Sequence, residues 1–523
     1  MKSRNLQQIL ETISLPYHHS GKNLNIEVTG IQYDSRSVKD GQIFVALEGE
    51  NVDGHIFIES AIKNGASVII GTQDVAKWRN LTIPYLQFKN SREAMAYISA
   101  GYYDFPSRSM VLIGVTGTDG KTTTCNFIYQ ILQTAGINAG MISTVNAQIG
   151  NEVLDTGFHV TTPESPSVQY YLWKMKEAGI THVVLETTSH GLAQHRVTGC
   201  EFDIAVVTNI THEHLDYHGS YEEYLHTKGI LFASLTKTPL KPFFSNRIGV
   251  INKDDQSYEY LNGICQSSQI HYSLTPDADI WPENIKIESE GLSFTAKGKE
   301  FSAEVYSHLP GQFNISNVLA AMSVGIFGLN LKPDLAAKGI RNMLAVPGRM
   351  ESIKLGQNFQ AIVDFAHTPN ALENAILTLR KITSKRVITI FGSAGLRDRE
   401  KRHMMAEKSA QLADITIITA EDPRTESLDA ILNEMQNAAI NVGAELGKTL
   451  FIVPDRGNAI ELGVRLAEPG DVVVACGKGH EQSMCFGQKE YPWDDRTAMR
   501  SALSKLLEIS GPAMPYLPTR NVE

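Results

Sequence analysis

At 523 residues the chain is too long for one hydrophobic core, and its length suggests about three domains. Hydrophobic residues make up 42% and charged residues 20%, the balance of a globular protein, and a formal net charge of -10 argues against a nucleic-acid partner. The five cysteines (Cys125, Cys200, Cys265, Cys476, Cys485) form no C-x-x-C pair, and no apolar run approaches the roughly 20 residues that span a bilayer; neither a disulfide framework, a zinc site nor a membrane segment is indicated, and a cytoplasmic location is expected.

Residues 1–105 carry short strand-like pieces, at 43–47 and 67–70, with helical stretches such as Ile58–Lys63 between them, and read as a small α/β domain. Its polar signals, Asp34-Ser35-Arg36 and Asp53-Gly54-His55, fit turns or helix caps better than ligand sites when each is taken alone.

The strongest chemical signal follows. Residues 111–115 are short, apolar and β-branched enough for a buried strand, and 125–132 place apolar residues at helical spacing. Between them runs Thr116-Gly117-Thr118-Asp119-Gly120-Lys121-Thr122-Thr123. In such a loop the glycines let backbone N–H groups close around a phosphate, Lys121 reaches the terminal phosphates, and Thr122 or Thr123 can hold Mg²⁺. The strict Walker pattern wants glycine where Val115 stands, but the strand, loop and helix order favours nucleotide binding over a structural turn.

Over 106–346 strands alternate with helices, with strand segments at 181–186, 204–209 and 249–252, which argues for a doubly wound, largely parallel sheet. Ligands in such sheets sit at the carboxyl ends of strands, so Glu186, Thr208-Asn209 and Asn252 with Asp254-Asp255 are expected to rim the phosphate crevice. The 208–219 run holds His212, Glu213, His214, Asp216 and His218 without the spacing of a zinc helix; Mg²⁺ on Glu186 and one histidine fits better, against a bland reading as a solvated loop. Asn314 and Asn317 lie one turn apart at the opening of a helical stretch, 318–328, and either face a flat ligand such as a nucleobase or cap the helix. Lys228, within the helical stretch 221–232, reads by residue type as a solvated helix face.

Pro347-Gly348 punctuates a boundary, and 347–510 form a third, Rossmann-like α/β domain with strands at 361–364, 386–391, 415–419 and 471–476. Each strand runs into a polar loop. Residues 511–523 read as a loose tail.

Taken together, these residues resemble the Mur ligases of peptidoglycan synthesis. The resemblance spans nearly the whole chain: Asp34-Ser35-Arg36 and Asp53-Gly54-His55; the Thr116 to Thr123 loop; Thr161-Thr162-Pro163; Glu186-Thr-Thr-Ser-His190; Pro347-Gly-Arg-Met-Glu351; Asp364-Phe-Ala-His-Thr-Pro369; Arg397-Asp398; Asp422-Pro-Arg424; and Gly477-Lys-Gly-His-Glu481. It also accounts for Val115, since the family's loop is Thr-Gly-Thr-x-Gly-Lys-Thr. The resemblance implies three domains: 1–105 for the UDP substrate, a central P-loop ATPase-like domain over 106–346, and 347–510 for the amino acid. It implies an ATP-dependent amide ligase that adds an amino acid to UDP-MurNAc-L-Ala-D-Glu through an acyl phosphate, acting as a monomer. Residues 117–123 (Gly117, Thr118, Asp119, Gly120, Lys121, Thr122 and Thr123) and Asn314, Arg349 and Asp364 then match the nucleotide site. Lys121, Glu186, His214 and Lys228 match the catalytic centre, with two Mg²⁺ ions on Thr122, Glu186, His214 and a carbamoylated Lys228. Ser35, Thr161, Thr162, Ser189 and Arg196 match the UDP-substrate site, and Arg397, Asp422, Arg424, Gly477 and Glu481 the amino-acid pocket.

One departure bears on substrate choice. Members that take meso-diaminopimelate resemble Asp-Asn-Pro-Arg where this chain has Glu421-Asp422-Pro423-Arg424. An extra carboxylate beside the substrate's distal carboxylate would repel it by about 4 kcal/mol at roughly 4 Å and an effective dielectric near 20. L-Lysine or L-ornithine is therefore favoured. A folylpolyglutamate synthase-like ligase and a non-catalytic ATP-binding module are the alternatives; the first lacks a counterpart of 1–105, and the second has little use for Glu186, His214 and Lys228 together.

Overall fold

A computed structural model describes residues 3–49, 52–144, 147–150, 152–154, 162–211, 215–237, 239–288 and 291–520. Three α/β domains follow one another, each built on its own sheet. In the first, the strands lie in the order His18–His19, Tyr85–Gln87, Ala66–Gly71, Gln42–Val45, Ile31–Gln32, parallel except at the first pairing. Both expected polar signals here are caps: Asp34 accepts the Arg36 N–H and Asp53 the His55 N–H, each opening a short 3₁₀ turn.

Among the described residues the central sheet has eleven strands. Seven of them, from Ala139–Ile142 through His182–Glu186, Val111–Thr116, Ile204–Val207, Ile248–Asn252 and Ser268–Tyr272 to Ile280–Glu288, pair in parallel, and antiparallel strands extend both edges. Val111–Thr116 sits in the middle, with the next strand in sequence, Ala139–Ile142, on one side and Ile204–Val207 on the other. The winding reverses there, which opens a crevice at the carboxyl end of Val111–Thr116. Apolar residues cover both faces: Ile113, Val115, Phe127, Ile131 and Leu319 belong to one layer, while Leu112, Leu172, Leu185 and Phe232 belong to the other. Successive residues of the buried strand thus alternate between the two layers, as the pleat requires.

The third sheet runs Glu351–Ser352, Gln360–Asp364, Val472–Cys476, Val387–Phe391, Ile415–Ile418, Leu450–Ile452, parallel but for the first pair. Two expectations are corrected. The helical stretch placed at 318–328 begins earlier, as an α-helix over Phe313–Ser323 that continues into a π turn at Val324–Gly328, so Asn314 and Asn317 lie inside it. The 511–520 segment is no loose tail: Leu517 is fully buried in the third domain's core and the Thr519 hydroxyl donates to Asp455 at 2.9 Å, because apolar Met514 and Leu517 find cover in the cluster that also holds Ile460 and Val464. Among the described residues no helix is long and apolar enough to cross a membrane.

Candidate active site

The crevice is filled by the loop after Val111–Thr116, a strand buried along its whole length. Gly120 opens the Lys121–Thr134 helix at φ 81°, and a side chain there would collide with Asn317, so glycine is required twice over. The neighbouring strand's end shapes the loop: the Asn209 carbonyl accepts the Thr118 N–H at 2.7 Å, the Asn209 side chain accepts the Asp119 N–H at 3.0 Å, and Thr208 donates to the Asp119 carbonyl at 2.6 Å. Thr118 meets the Tyr224 hydroxyl at 3.1 Å, Thr123 is buried, and Lys121 folds over the loop to donate to the Thr118 carbonyl at 2.7 Å. Glu186 and Thr208-Asn209 thus do rim the crevice. Asn252, Asp254 and Asp255 do not: Asn252 donates to the Thr208 carbonyl, Asp255 accepts the Ile210 N–H and Asp254 holds Ser273, bracing the rim from behind.

Glu186 is buried, and Thr122 Oγ1 lies 3.1 and 3.0 Å from its two oxygens. The Thr144 N–H also donates to it at 3.1 Å. A hydroxyl and a carboxylate side by side at a phosphate loop are the oxygen donors that Mg²⁺ takes, with phosphate and water completing the shell, so the residues fit that ion. His214 lies outside the described residues. Lys228 is not solvated, contrary to the helix-face reading: it is buried, donates from Nζ to the Gly117 carbonyl at 2.6 Å, and lies over the Tyr224 ring. Tyr224, Leu231 and Phe232, at i-4, i+3 and i+4, put it on the apolar stripe of the Tyr221–Ser234 helix, a signal the sequence contained.

Groups from the third domain reach this loop. Arg349 donates to Thr122 Oγ1 at 3.1 Å and packs over Phe365, and Asn370 donates to the Asp119 carboxylate at 3.3 Å. Asp364 is buried; it accepts the Met350 and Ala366 N–H groups at 2.6 and 2.9 Å, and burial pushes its carboxyl up from the usual range while the Arg349 charge opposes that. Asn314 donates to the Pro310 carbonyl and accepts from Asn317, so its amide is committed to the helix start that packs against Gly120.

On the opposite rim, Thr162 Oγ1 donates to the Glu186 carbonyl and accepts the Thr188 N–H, both at 3.1 Å, and Arg196 donates to the Thr162 carbonyl at 2.8 Å. Ser189 is buried at the first position of the Ser189–Ala193 helix. Thr161 lies outside the described residues. Ser35 is buried in its 3₁₀ turn, with its carbonyl bonded to Asn64.

The third-domain loops bring charged side chains together. Asp422 and Arg424 hold positive φ of 40° and 54°, a costly conformation for side-chain-bearing residues that marks a constrained loop. Asp422 accepts from Lys478 at 2.8 Å and from the Cys485 N–H at 2.8 Å, and Lys478 also pairs with Glu481. Sequence reasoning gave Lys478 no role, yet it is fully buried; although burial opposes it, Glu481 and Asp422 raise its pKa. Asp422 is therefore not the uncompensated charge expected, and Arg424 donates to the Gly395 carbonyl at 3.3 Å. Glu421 was also overlooked. Its carboxyl is buried against Gly477, where any side chain would collide with it, its Oε2 has no hydrogen-bond partner among the described residues, and burial lifts its pKa to about 7. Arg397 is exposed on the adjoining loop.

Three family models match in succession: Mur ligase family, catalytic domain, over residues 27–103; Mur ligase middle domain over 115–325; and Mur ligase, glutamate ligase domain, over 348–479. A UDP-N-acetylmuramyl-tripeptide synthetase of Roseiflexus sp. (strain RS-1) is 39% identical over 508 residues, 96% of this chain and 99% of that protein. The chain belongs to the Mur ligase family. Another Mur ligase, the UDP-N-acetylmuramoyl-L-alanyl-D-glutamate--2,6-diaminopimelate ligase of Geobacillus kaustophilus (strain HTA426), is 38% identical over 491 residues, 93% of this chain and 96% of its own. A solved structure of a ligase with that same description aligns with a TM-score of 0.65 at 28% identity, covering 97% of this chain and all of the other. This chain is an enzyme of that family, and its phosphate loop, Glu186, Lys228 and Arg349 meet where the central domain faces the third.

Proposed function

We propose that this Mur ligase joins a diamino acid to UDP-MurNAc-L-Ala-D-Glu at the expense of ATP, with L-lysine or L-ornithine preferred over meso-diaminopimelate, acting as a cytoplasmic monomer. Residues 1–105 take the uridine end at Ser35, 106–346 take ATP and the peptide, and 347–510 take the amino acid. A carboxylate is a poor acyl donor, so the substrate carboxylate attacks the γ-phosphate of ATP, ADP leaves, and the resulting acyl phosphate is opened by the incoming amine with loss of phosphate. Both steps gather negative charge that fixed cations must offset. Lys121 and Arg349 are the cations the chain supplies, and the loop N–H groups hold the phosphates. Bound Mg²⁺ at Thr122 and Glu186 supplies further positive charge to the phosphate oxygens. Thr162, Ser189 and Arg196 orient the peptide, with Thr161 and His214 assigned by resemblance alone. Carbamoylation of Lys228 would convert a buried cation to an anion suited to a second ion; the carbamate nitrogen keeps one N–H for the Gly117 carbonyl.

One observation carries the reading: Arg349 of the third-domain boundary bonds the same Thr122 hydroxyl that meets Glu186, which brings nucleotide and acyl sites together. Substrate preference is argued from local charge, in which Asp422 and Glu481 both pair with Lys478. Lys478 shrinks the repulsion from Asp422 below the bare Coulomb figure. Meso-diaminopimelate is the second reading, favoured by Arg424, whose guanidinium meets a backbone carbonyl and has further N–H groups to offer a carboxylate. ADP release measured across amino acids with the UDP substrate present decides: faster turnover of meso-diaminopimelate than of lysine and ornithine would reverse the preference, and no stimulation by the UDP substrate would remove the ligase assignment.

A further inference from the structure

At the seam between the first and central domains Glu164 and Arg92 form a charged cluster with Arg196. Glu164 occupies the N-cap of the Ser165–Glu177 helix, yet its side chain makes no capping bond. Capping at that position is the work of short side chains such as Ser, Thr, Asp and Asn, so the longer Glu164 is left to reach other partners. Here Oε1 lies 3.1 Å from Arg196 of the central domain and Oε2 lies 3.6 Å from Arg92 of the first-domain helix Ser91–Tyr102. The three side chains are 16%, 15% and 27% exposed, so the charges interact through a medium less screening than water.

Arg196 is the residue that donates to Thr162, and its neighbour His195 holds φ 56° and meets Asn90 of the first domain at 3.3 Å. Three polar atoms of the cluster, Arg92 Nη1, Glu164 Oε2 and Arg196 Nε, are buried without a hydrogen-bond partner among the described residues. Buried donors left unsatisfied are costly, and two arginines bridged by one carboxylate carry a net positive charge that an anionic ligand would complete. Tyr33, beside the Ser35 turn, feels the same cluster: burial first and then Glu164 raise its phenol, while Arg196 opposes them. One carboxylate thus touches the peptide side of the UDP-substrate site and the domain that holds its other end.

We propose that Glu164 is a positioning residue that fixes Arg196 for the UDP substrate and couples it, through Arg92, to docking of the first domain. This rests on the reading of Arg196 as a UDP-substrate residue. The test is steady-state ADP release by the full-length ligase with UDP-MurNAc-L-Ala-D-Glu varied at saturating ATP and amino acid, for wild type, R196A, E164Q, R92A and the R92A/E164Q pair. E164Q keeps shape and removes charge. Its expected effect is a KM for the UDP substrate raised about tenfold, with kcat and the KM for ATP within about twofold. R92A should raise the same KM less, and the pair should be no worse than E164Q alone, because both remove one coupling. An unchanged UDP-substrate KM in E164Q, an equal rise in the KM for ATP, or single effects that multiply would overturn the proposal. R196A separates the two failures: if it raises that KM while E164Q does not, only the role of Glu164 falls; if R196A itself leaves it unchanged, the reading of Arg196 falls and this proposal with it.

Discussion

Arg349 donates a hydrogen bond to the Thr122 hydroxyl at 3.1 Å, so a residue at the entrance to the third domain touches the phosphate loop of the central one. Its side chain is braced over Phe365, and its charge faces Asp364. On the proposed mechanism, a cation held there would meet the charge that develops during phosphoryl transfer. R349A should lower kcat on the order of 100-fold while the KM for the UDP substrate changes little. Initial-rate ADP release measures both, and a change confined to KM would move Arg349 out of the chemical step.

Lys228 is sealed beneath the loop against Gly117 and Tyr224. K228A should reduce turnover by more than about 100-fold. Small molecules can then report the charge that was lost: formate or acetate restores part of the rate if the functional group is a carbamate, whereas methylamine restores it if the group is the free ammonium.

Leu517 lies fully buried although its segment has no regular secondary structure. L517A should destabilise the third domain by about 2–5 kcal/mol, the range for emptying a packed leucine site. Thermal unfolding would show the loss, with KM values unchanged at temperatures where the variant is folded.

Glu421 gives a pH dependence of definite sign. Its folded pKa of about 7 stands above the ordinary value of 4.5, because burial disfavours the charged form. The folded state therefore holds a proton that the unfolded state releases, and the stabilisation is complete below about 4.5 and is lost as pH rises through about 7, a swing of about 3 kcal/mol. E421Q removes this term, so its Tm relative to wild type should rise between pH 5 and pH 8. His480 runs the other way: burial lowers its pKa to about 3, so it costs stability as pH falls below its ordinary 6.5. Comparing E421Q with wild type at each pH cancels that contribution.

The domain plan was legible because it rests on local signals. Apolar strands that end in polar loops recur along the chain, and the reversal of winding at Val111–Thr116 follows from their order. The strand, loop and helix around Lys121 were legible for the same reason, since the loop's glycines and Lys121 are adjacent in sequence. What stayed hidden depends on long-range pairing. Lys478 and Asp422 are 56 residues apart, and Arg349 and Thr122 are 227 apart, so no periodicity links them. Lys228 was misjudged by residue type although its helical neighbours Tyr224, Leu231 and Phe232 marked a buried stripe. The 511–520 segment was misjudged by composition, because proline-rich chain reads as loose until Leu517 is seen to have a hole to fill.

Asp422 tests the choice of amino acid most directly. Its two oxygens accept from Lys478 and the Cys485 N–H, so the charge it would present to a bound amino acid is partly offset. D422N keeps the shape and an acceptor for Cys485, and leaves Lys478 paired with Glu481. One anion is then gone from the pocket wall while Arg424 remains. The ratio of kcat/KM for L-lysine to that for meso-diaminopimelate should fall about tenfold, a smaller change than the bare repulsion would give because Lys478 already cancels part of it. If the ratio stays constant while both activities drop together, Asp422 serves only to hold the loop, and discrimination lies with Arg424 or Arg397.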